Sequence, residues 1–178
     1  MHGLPPDMAE LGKGYGAILT DPPWDFRTWS KKGKGRSPTY DTMSFNELAD
    51  LPVSDIAADD CALFMWVVDS HLQTAVDLIQ VWGFVYKTIG FIWVKPSIGL
   101  GYWTRKQAEI CLLGTRGKPK RVNAGISQVI KAPRREHSRK PDETYRGIEE
   151  LVSGPYLEMF ARQKRDGWES WGNEVEKF

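Results

Sequence analysis

Eight consecutive apolar residues, Cys61-Ala62-Leu63-Phe64-Met65-Trp66-Val67-Val68, limit the folds open to this chain more than any other stretch. The run is far short of the ~20 residues a membrane span needs. It shows no polar alternation, so it reads as a strand buried on both faces, a position found almost only in sheets covered by helices on either side. A second such run, Tyr15-Gly16-Ala17-Ile18-Leu19-Thr20, lies between glycines and prolines. Further strands are expected from Phe84 to Lys95 with a bend near Gly90, from Gln107 to Thr115, from Gln128 to Lys131, from Tyr156 to Ala161 and over Trp168-Glu169-Ser170-Trp171. Helical stripes alternate with them. Ser44-Phe45-Asn46-Glu47 is a capping box opening a short helix that stops before Pro52. Asp69 or Ser70 caps a helix with Leu72, Ala75, Val76, Ile79 and Trp82 on one face and Gly83 at its end, and Pro141 opens another with Tyr145, Ile148, Leu151 and Val152 inward. This alternation predicts an α/β fold, a mostly parallel sheet with helices on both faces. Residues 25–43 and 96–105 are expected to be loops. The 178 residues are read as one domain, 1–178, with 1–14 irregular.

Several chemistries find no support. Cys61 and Cys111 sit in apolar runs without a C-x-x-C pair and read as buried free thiols. His2, His71 and His137 have no ligand spacing, so no metal site is expected. Neither a P-loop nor a G-x-S-x-G elbow is present, and Gly12-Lys13-Gly14-Tyr15-Gly16 precedes a strand instead of following one, which a dinucleotide fingerprint does not do. No membrane span or signal-peptide pattern is seen, which makes the cytoplasm the expected location. Net charge is only +1, but its distribution is uneven. Arg27, Lys31, Lys32, Lys34 and Arg36 crowd one loop. Arg116, Lys118, Lys120, Arg121, Lys131, Arg134, Arg135, Arg139 and Lys140 form a second basic stretch against the single acid Glu136, while Asp50, Asp55, Asp59 and Asp60 gather elsewhere. Two basic stretches flanking one site would suit phosphates.

Asp21-Pro22-Pro23-Trp24 follows the first strand directly, where ligands collect in open α/β sheets. A residue before proline is held extended, so the Asp21 carboxylate can project into the crevice. Pro22 and Pro23 have fixed φ and stiff carbonyls, and Trp24 brings a flat apolar ring. A carboxylate, a rigid carbonyl and an aromatic face together suit the exocyclic amine of a nucleobase: both oxygens accept from its N–H bonds and the base rests on the indole.

The tetrapeptide resembles the catalytic motif of the MT-A70-like adenine-N6 methyltransferases. The resemblance continues through Pro38-Thr39-Tyr40-Asp41-Thr42-Met43, Leu63-Phe64-Met65-Trp66-Val67, Ile92-Trp93-Val94-Lys95, Ala108-Glu109-Ile110-Cys111-Leu112-Leu113-Gly114, Ser138-Arg139-Lys140-Pro141-Asp142-Glu143 and Leu157-Glu158-Met159-Phe160-Ala161-Arg162. It implies a Rossmann-like methyltransferase fold with permuted motif order, S-adenosyl-L-methionine as cofactor, and a nucleic-acid substrate. By the same resemblance Asp21, Pro22, Pro23 and Trp24 are catalytic. Tyr40, Glu109 and Lys95 face the substrate. Lys140 meets the cofactor carboxylate, Phe160 and Arg162 the ribose region, Asn173 and its neighbour Glu174 the adenosine, with Asp21 also on the cofactor side. Two departures stand out: Ala161 replaces a frequent glycine, and Gly3-Leu4-Pro5-Pro6 does not match an additional cofactor-contacting strand that relatives carry upstream.

DNA is the expected substrate, because no zinc fingers or long extensions of the RNA-modifying relatives accompany the catalytic motifs; RNA is the alternative. A noncatalytic nucleic-acid-binding subunit is the reading from a different class, and such subunits tend to lose the motif that Asp21 begins. A monomer or homodimer is expected, with room for a partner subunit that recognises the target.

Overall fold

The computed structural model describes residues 6–25, 41–136 and 139–178. A seven-stranded sheet in the order β5-β3-β4-β2-β1-β6-β7 forms its middle. The strands are β1 (Tyr15–Thr20), β2 (Ala57–Val67), β3 (Val85–Gly99), β4 (Lys106–Arg116), β5 (Val129–Lys131), β6 (Tyr156–Met159) and β7 (Trp168–Trp171). β1 pairs in parallel with β2 and β6, β6 with β7, and β3 with β5; only β4 runs antiparallel to its neighbours. The sheet is mostly parallel, as in a Rossmann-like methyltransferase, and a single reversed strand lets β3 and β4 form a hairpin where a parallel pair would need a crossover.

Both faces are covered, which explains the uninterrupted apolar runs. On one face Ile18, Leu63, Met65 and Leu112 pack under α1 (Phe45–Ala49), α2 (Val53–Ile56) and α3 (Leu72–Val81). On the other, Leu19, Phe64, Trp66, Phe91 and Cys111 pack against Tyr145 and Ile148 of α4 (Glu143–Leu151). The Ser44 capping box forms as the sequence indicates, with its hydroxyl and amide exchanging bonds with Glu47. Both cysteines are buried free thiols, and burial pushes the Cys61 thiol up to about 12.

Three expectations are corrected. α3 opens at Leu72 after a short 3-10 turn over Asp69–His71, with no side-chain cap, because the Ser70 hydroxyl bonds the His71 ring instead. Leu72 is exposed, and Leu78 takes its place in the buried stripe with Ala75, Ile79 and Trp82. β3 continues through Pro96 to Gly99, where a loop was expected; the missing N–H is tolerated because the β3–β4 register lapses between Val94 and Gly99. β6 stops at Met159, because Phe160 turns into the left-handed region at φ 58°. Gly16 is needed for close approach: a Cβ there would stand 2.6 Å from the Ser153 carbonyl oxygen, so only glycine lets β1 run beside the chain leading into β6.

Candidate active site

The carboxyl ends of β1, β2 and β6 open on the α4 side of the sheet into a narrow cleft. Alternation along β1 puts Ala17 and Leu19 on that side, so Asp21, two residues on, faces the same way. Asp21 lines the cleft with Leu19, Trp66, Lys140, Glu158 and Phe160. Arg139, Tyr145, Arg162, Gln163 and Phe178 complete the wall.

Four charged side chains from distant parts of the sequence meet here in a row. Lys140 Nζ lies 3.0 Å from Asp21 Oδ2 and 3.2 Å from Glu109 Oε2, and the other oxygen of Glu109 accepts from Lys95 Nζ. The two cations also lie over rings, Lys140 5.5 Å from the Trp66 centroid and Lys95 4.5 Å from that of Trp93. Burial alone would raise Glu109, but the ammonium groups of Lys140 and Lys95 overcome it and hold the carboxyl down to about 2. Burial works against the charge on Lys140 too, and the carboxylates of Asp21 and Glu109 reverse it, so the lysine stays protonated well above its ordinary value. An ammonium has three donors, and two carboxylates take two of them. Asp21, read in the sequence from its place before proline at the end of a strand, and Lys140, Glu109 and Lys95, picked out by resemblance, are thus one ionic chain.

The geometry of the tetrapeptide is tighter than the sequence indicates. The Pro22 carbonyl accepts the Trp24 N–H at 2.8 Å and the Pro23 carbonyl accepts the Met43 N–H at 2.9 Å, so both are engaged, each with a second lone pair to spare. Trp24 is 3% exposed. Its indole N–H donates to the Trp66 carbonyl at 3.3 Å and its ring lies 5.6 Å from that of His71. In this arrangement the indole is an anchor fixing the turn, and its face is not open for a base to rest on. The sequence could not separate the two uses, since both want a flat apolar ring after the prolines.

Phe160 and Arg162 reach the cleft from the end of β6. Gly172 packs its backbone against Phe160 and Ala161, where a Cβ would come within 3.0 Å, so the tight contact near Ala161 is made by the glycine facing it. Asn173 and Glu174 line a neighbouring depression with Trp171 and Lys164, and Glu174 is joined to the cleft through Arg162 Nε at 3.1 Å. Tyr40 and the basic residues Arg27 to Arg36 lie outside the described residues. The second basic stretch divides. Arg116 pairs with the start of β2 along with Cys61, and Lys118 bonds Asp60, so residues 116–121 lie at the far end of the sheet; Lys131, Arg134, Arg135, Arg139 and Lys140 remain at the cleft end.

Sequence reading passed over Glu158, although it sits between Leu157 and Met159 in the same way that Glu109 sits in its strand. Its Oε1 accepts the Tyr145 hydroxyl at 2.7 Å, while Oε2 is buried and without a partner among the described residues. Burial raises its carboxyl to about 7, helped by the charge of Asp21 and opposed by the Tyr145 hydroxyl and by Arg165 and Arg162. The folded protein therefore holds this proton more tightly than the unfolded chain, and stability falls as pH rises from about 4.5 to about 7. Glu158→Gln is expected to match the wild type in thermal unfolding at pH 4.5 and to exceed it by about 2 kcal/mol at pH 8. Equal gaps at the two pH values would refute the assignment.

The MT-A70 family model matches residues 15–174. Type II methyltransferase M.MunI from Mycoplasma sp is 33% identical over 183 aligned residues, covering 92% of this chain and 78% of that protein. The N(6)-adenosine-methyltransferase MT-A70-like protein of Drosophila melanogaster is 32% identical, covering 96% of this chain and 28% of its own length. The human N(6)-adenosine-methyltransferase catalytic subunit METTL3 is 30% identical, covering 96% of this chain and 30% of itself. The chain thus spans less than a third of these two eukaryotic relatives.

Proposed function

This chain belongs to the MT-A70 family of adenine-N6 methyltransferases, and on that premise we propose that it transfers a methyl group from S-adenosylmethionine to N6 of adenine in DNA. The observation that carries the reading is Asp21 at the mouth of the cleft, held by Lys140 and three residues from the anchored Trp24.

The residues present fit such a cofactor. Lys140 has a donor left for a carboxylate, Phe160 offers a ring, and Glu158 Oε2 is an acceptor without a partner among the described residues. Arg162, with Glu174 and Asn173 beyond it, would hold the nucleoside end. When bound, S-adenosylmethionine supplies a methyl group already activated by its sulfonium charge. The protein is left with alignment and electrostatics.

An adenine amine is a weak nucleophile because its lone pair is delocalised into the ring. The Asp21 carboxylate and the free lone pair of the Pro22 carbonyl accept its two hydrogens, which localises the nitrogen lone pair and stabilises the positive charge that grows there during transfer. Lys140 keeps Asp21 oriented, and Glu109 with Lys95 keeps Lys140 in place. Trp24 serves by fixing the turn that carries both acceptors. A duplex adenine must leave its stack to reach them. DNA is preferred over RNA on the likeness to the type II methyltransferase, which is 33% identical.

Tritiated methyl transfer to single-stranded DNA, duplex DNA and RNA of one sequence tests this. Incorporation into DNA is the expected result. Incorporation into RNA alone would move the substrate to RNA, and cofactor binding without transfer to any of the three would identify a noncatalytic subunit.

A further inference from the structure

The tip of the β3–β4 hairpin has no part in the site described so far. Gly99 and Lys106 are its last paired residues, and residues 100–105 form the tip. β3 runs in the direction of β1, so the tip rises from the end of the sheet that carries Asp21. Glu109 lies three residues down β4 from Lys106, about 10 Å at the rise of a strand.

Trp103 is 94% and Tyr102 85% exposed, with Ile98 and Leu100 also exposed beside them. The two rings meet edge-on with centroids 6.4 Å apart, and Trp103 holds the left-handed backbone at φ 65°. Packing does not account for two large aromatic side chains standing side by side in water. Cations stand on the hairpin and beside it. Arg105 is exposed at the tip, the guanidinium of exposed Arg134 lies against Gly99, and Lys106 is linked to Asp69 at 3.1 Å.

Aromatic faces among cations are how single-stranded nucleic acids are held: bases stack on the rings while the backbone follows the positive charge. We propose that Tyr102 and Trp103 form a stacking arm for unpaired nucleotides flanking the target adenine, with Arg105 and Arg134 on the phosphates. A protein partner is the poorer match, because it would have to bring acids to meet Arg105 and Arg134. The inference rests on the nucleic-acid reading above and adds where the strand lies.

Anisotropy of a fluorescein-labelled single-stranded DNA, with steady-state methylation of the same oligonucleotide, tests it on the full chain. Tyr102→Ala/Trp103→Ala is expected to weaken binding and raise KM by about tenfold or more, the scale of lost base stacks, with kcat unchanged. Trp103→Phe should stay within about threefold. Val122→Ala, at an exposed apolar residue whose N–H donates to the Leu151 carbonyl at the far end of α4, should match the wild type. Arg105→Ala and Arg134→Ala should each flatten the salt dependence by about one unit of slope, whereas the aromatic changes leave it alone. Wild-type affinity in the aromatic double variant would overturn the stacking arm while leaving the methyltransferase reading standing. A wild type that neither binds nor methylates any oligonucleotide would overturn both. If the double variant instead turns a dimer into a monomer on size-exclusion light scattering and keeps oligonucleotide affinity, the tip is a protein contact and the proposal fails.

Discussion

Asp21→Asn is expected to lower methyl transfer about 10²–10³-fold while thermal stability changes by no more than about 1 kcal/mol. The substitution keeps the volume and one acceptor oxygen of the side chain but removes its charge. A charged acceptor favours the transition state over the ground state, because positive charge on the adenine nitrogen exists only during transfer. The structural cost is small because the Asp21 side chain is 30% exposed and Lys140 keeps its second carboxylate, Glu109. Stopped-flow measurement under single-turnover conditions separates this effect from product release. The loss should appear in the chemical step, with cofactor affinity falling by less than about tenfold. An equal loss in cofactor affinity and rate would make Asp21 a binding group only.

Lys140→Met removes the cation that two acids share and should have the second large effect. Both acids then face each other across a largely buried site, with Lys95 alone to answer Glu109. Taking one partner from a buried ionic cluster costs about 3–5 kcal/mol; partial exposure of Asp21 brings the expectation to about 2–4 kcal/mol. In a domain of this size that is a fall of roughly 5–15 °C in Tm. The double variant Lys140→Met/Glu109→Gln should recover part of that stability, because one of the stranded charges is gone. It should recover none of the methyl transfer. Differential scanning calorimetry and the tritium assay on the three proteins give both readouts. Recovery of activity in the double variant would show that Lys140 acts only by neutralising Glu109.

The sheet was legible because burial on both faces leaves a mark in one dimension: the runs at Tyr15 and Cys61 carry no polar alternation, and both became central strands. Positions decided by three-dimensional compensation were not legible. Pro96 argues against a strand until a lapse in pairing frees its nitrogen from duty, and Leu72 fits the periodic stripe but is the first residue of the helix, where it stays exposed. Within the site, Asp21 was readable from the motif and its place after a strand. The ionic chain through Lys140, Glu109 and Lys95 was not, because its members come from separate stretches of the sequence and only the fold joins them. Trp24 shows the limit most clearly. Side-chain type announced a flat ring, and only its burial and its bond to the Trp66 carbonyl reveal that the ring holds the turn. Glu158 was within reach, since an acid in an apolar strand calls for an explanation wherever it occurs.

The central claim is that the Asp21–Pro22 acceptors present an adenine amine to an activated methyl group. The most direct measurement is mass spectrometry of nucleosides released from DNA after incubation with the wild-type chain and deuterated-methyl S-adenosylmethionine. The account predicts N6-methyldeoxyadenosine carrying the label, and its near absence with Asp21→Asn. Label on cytosine, on a ring nitrogen of adenine, or at undiminished yield on N6 in the variant would contradict it.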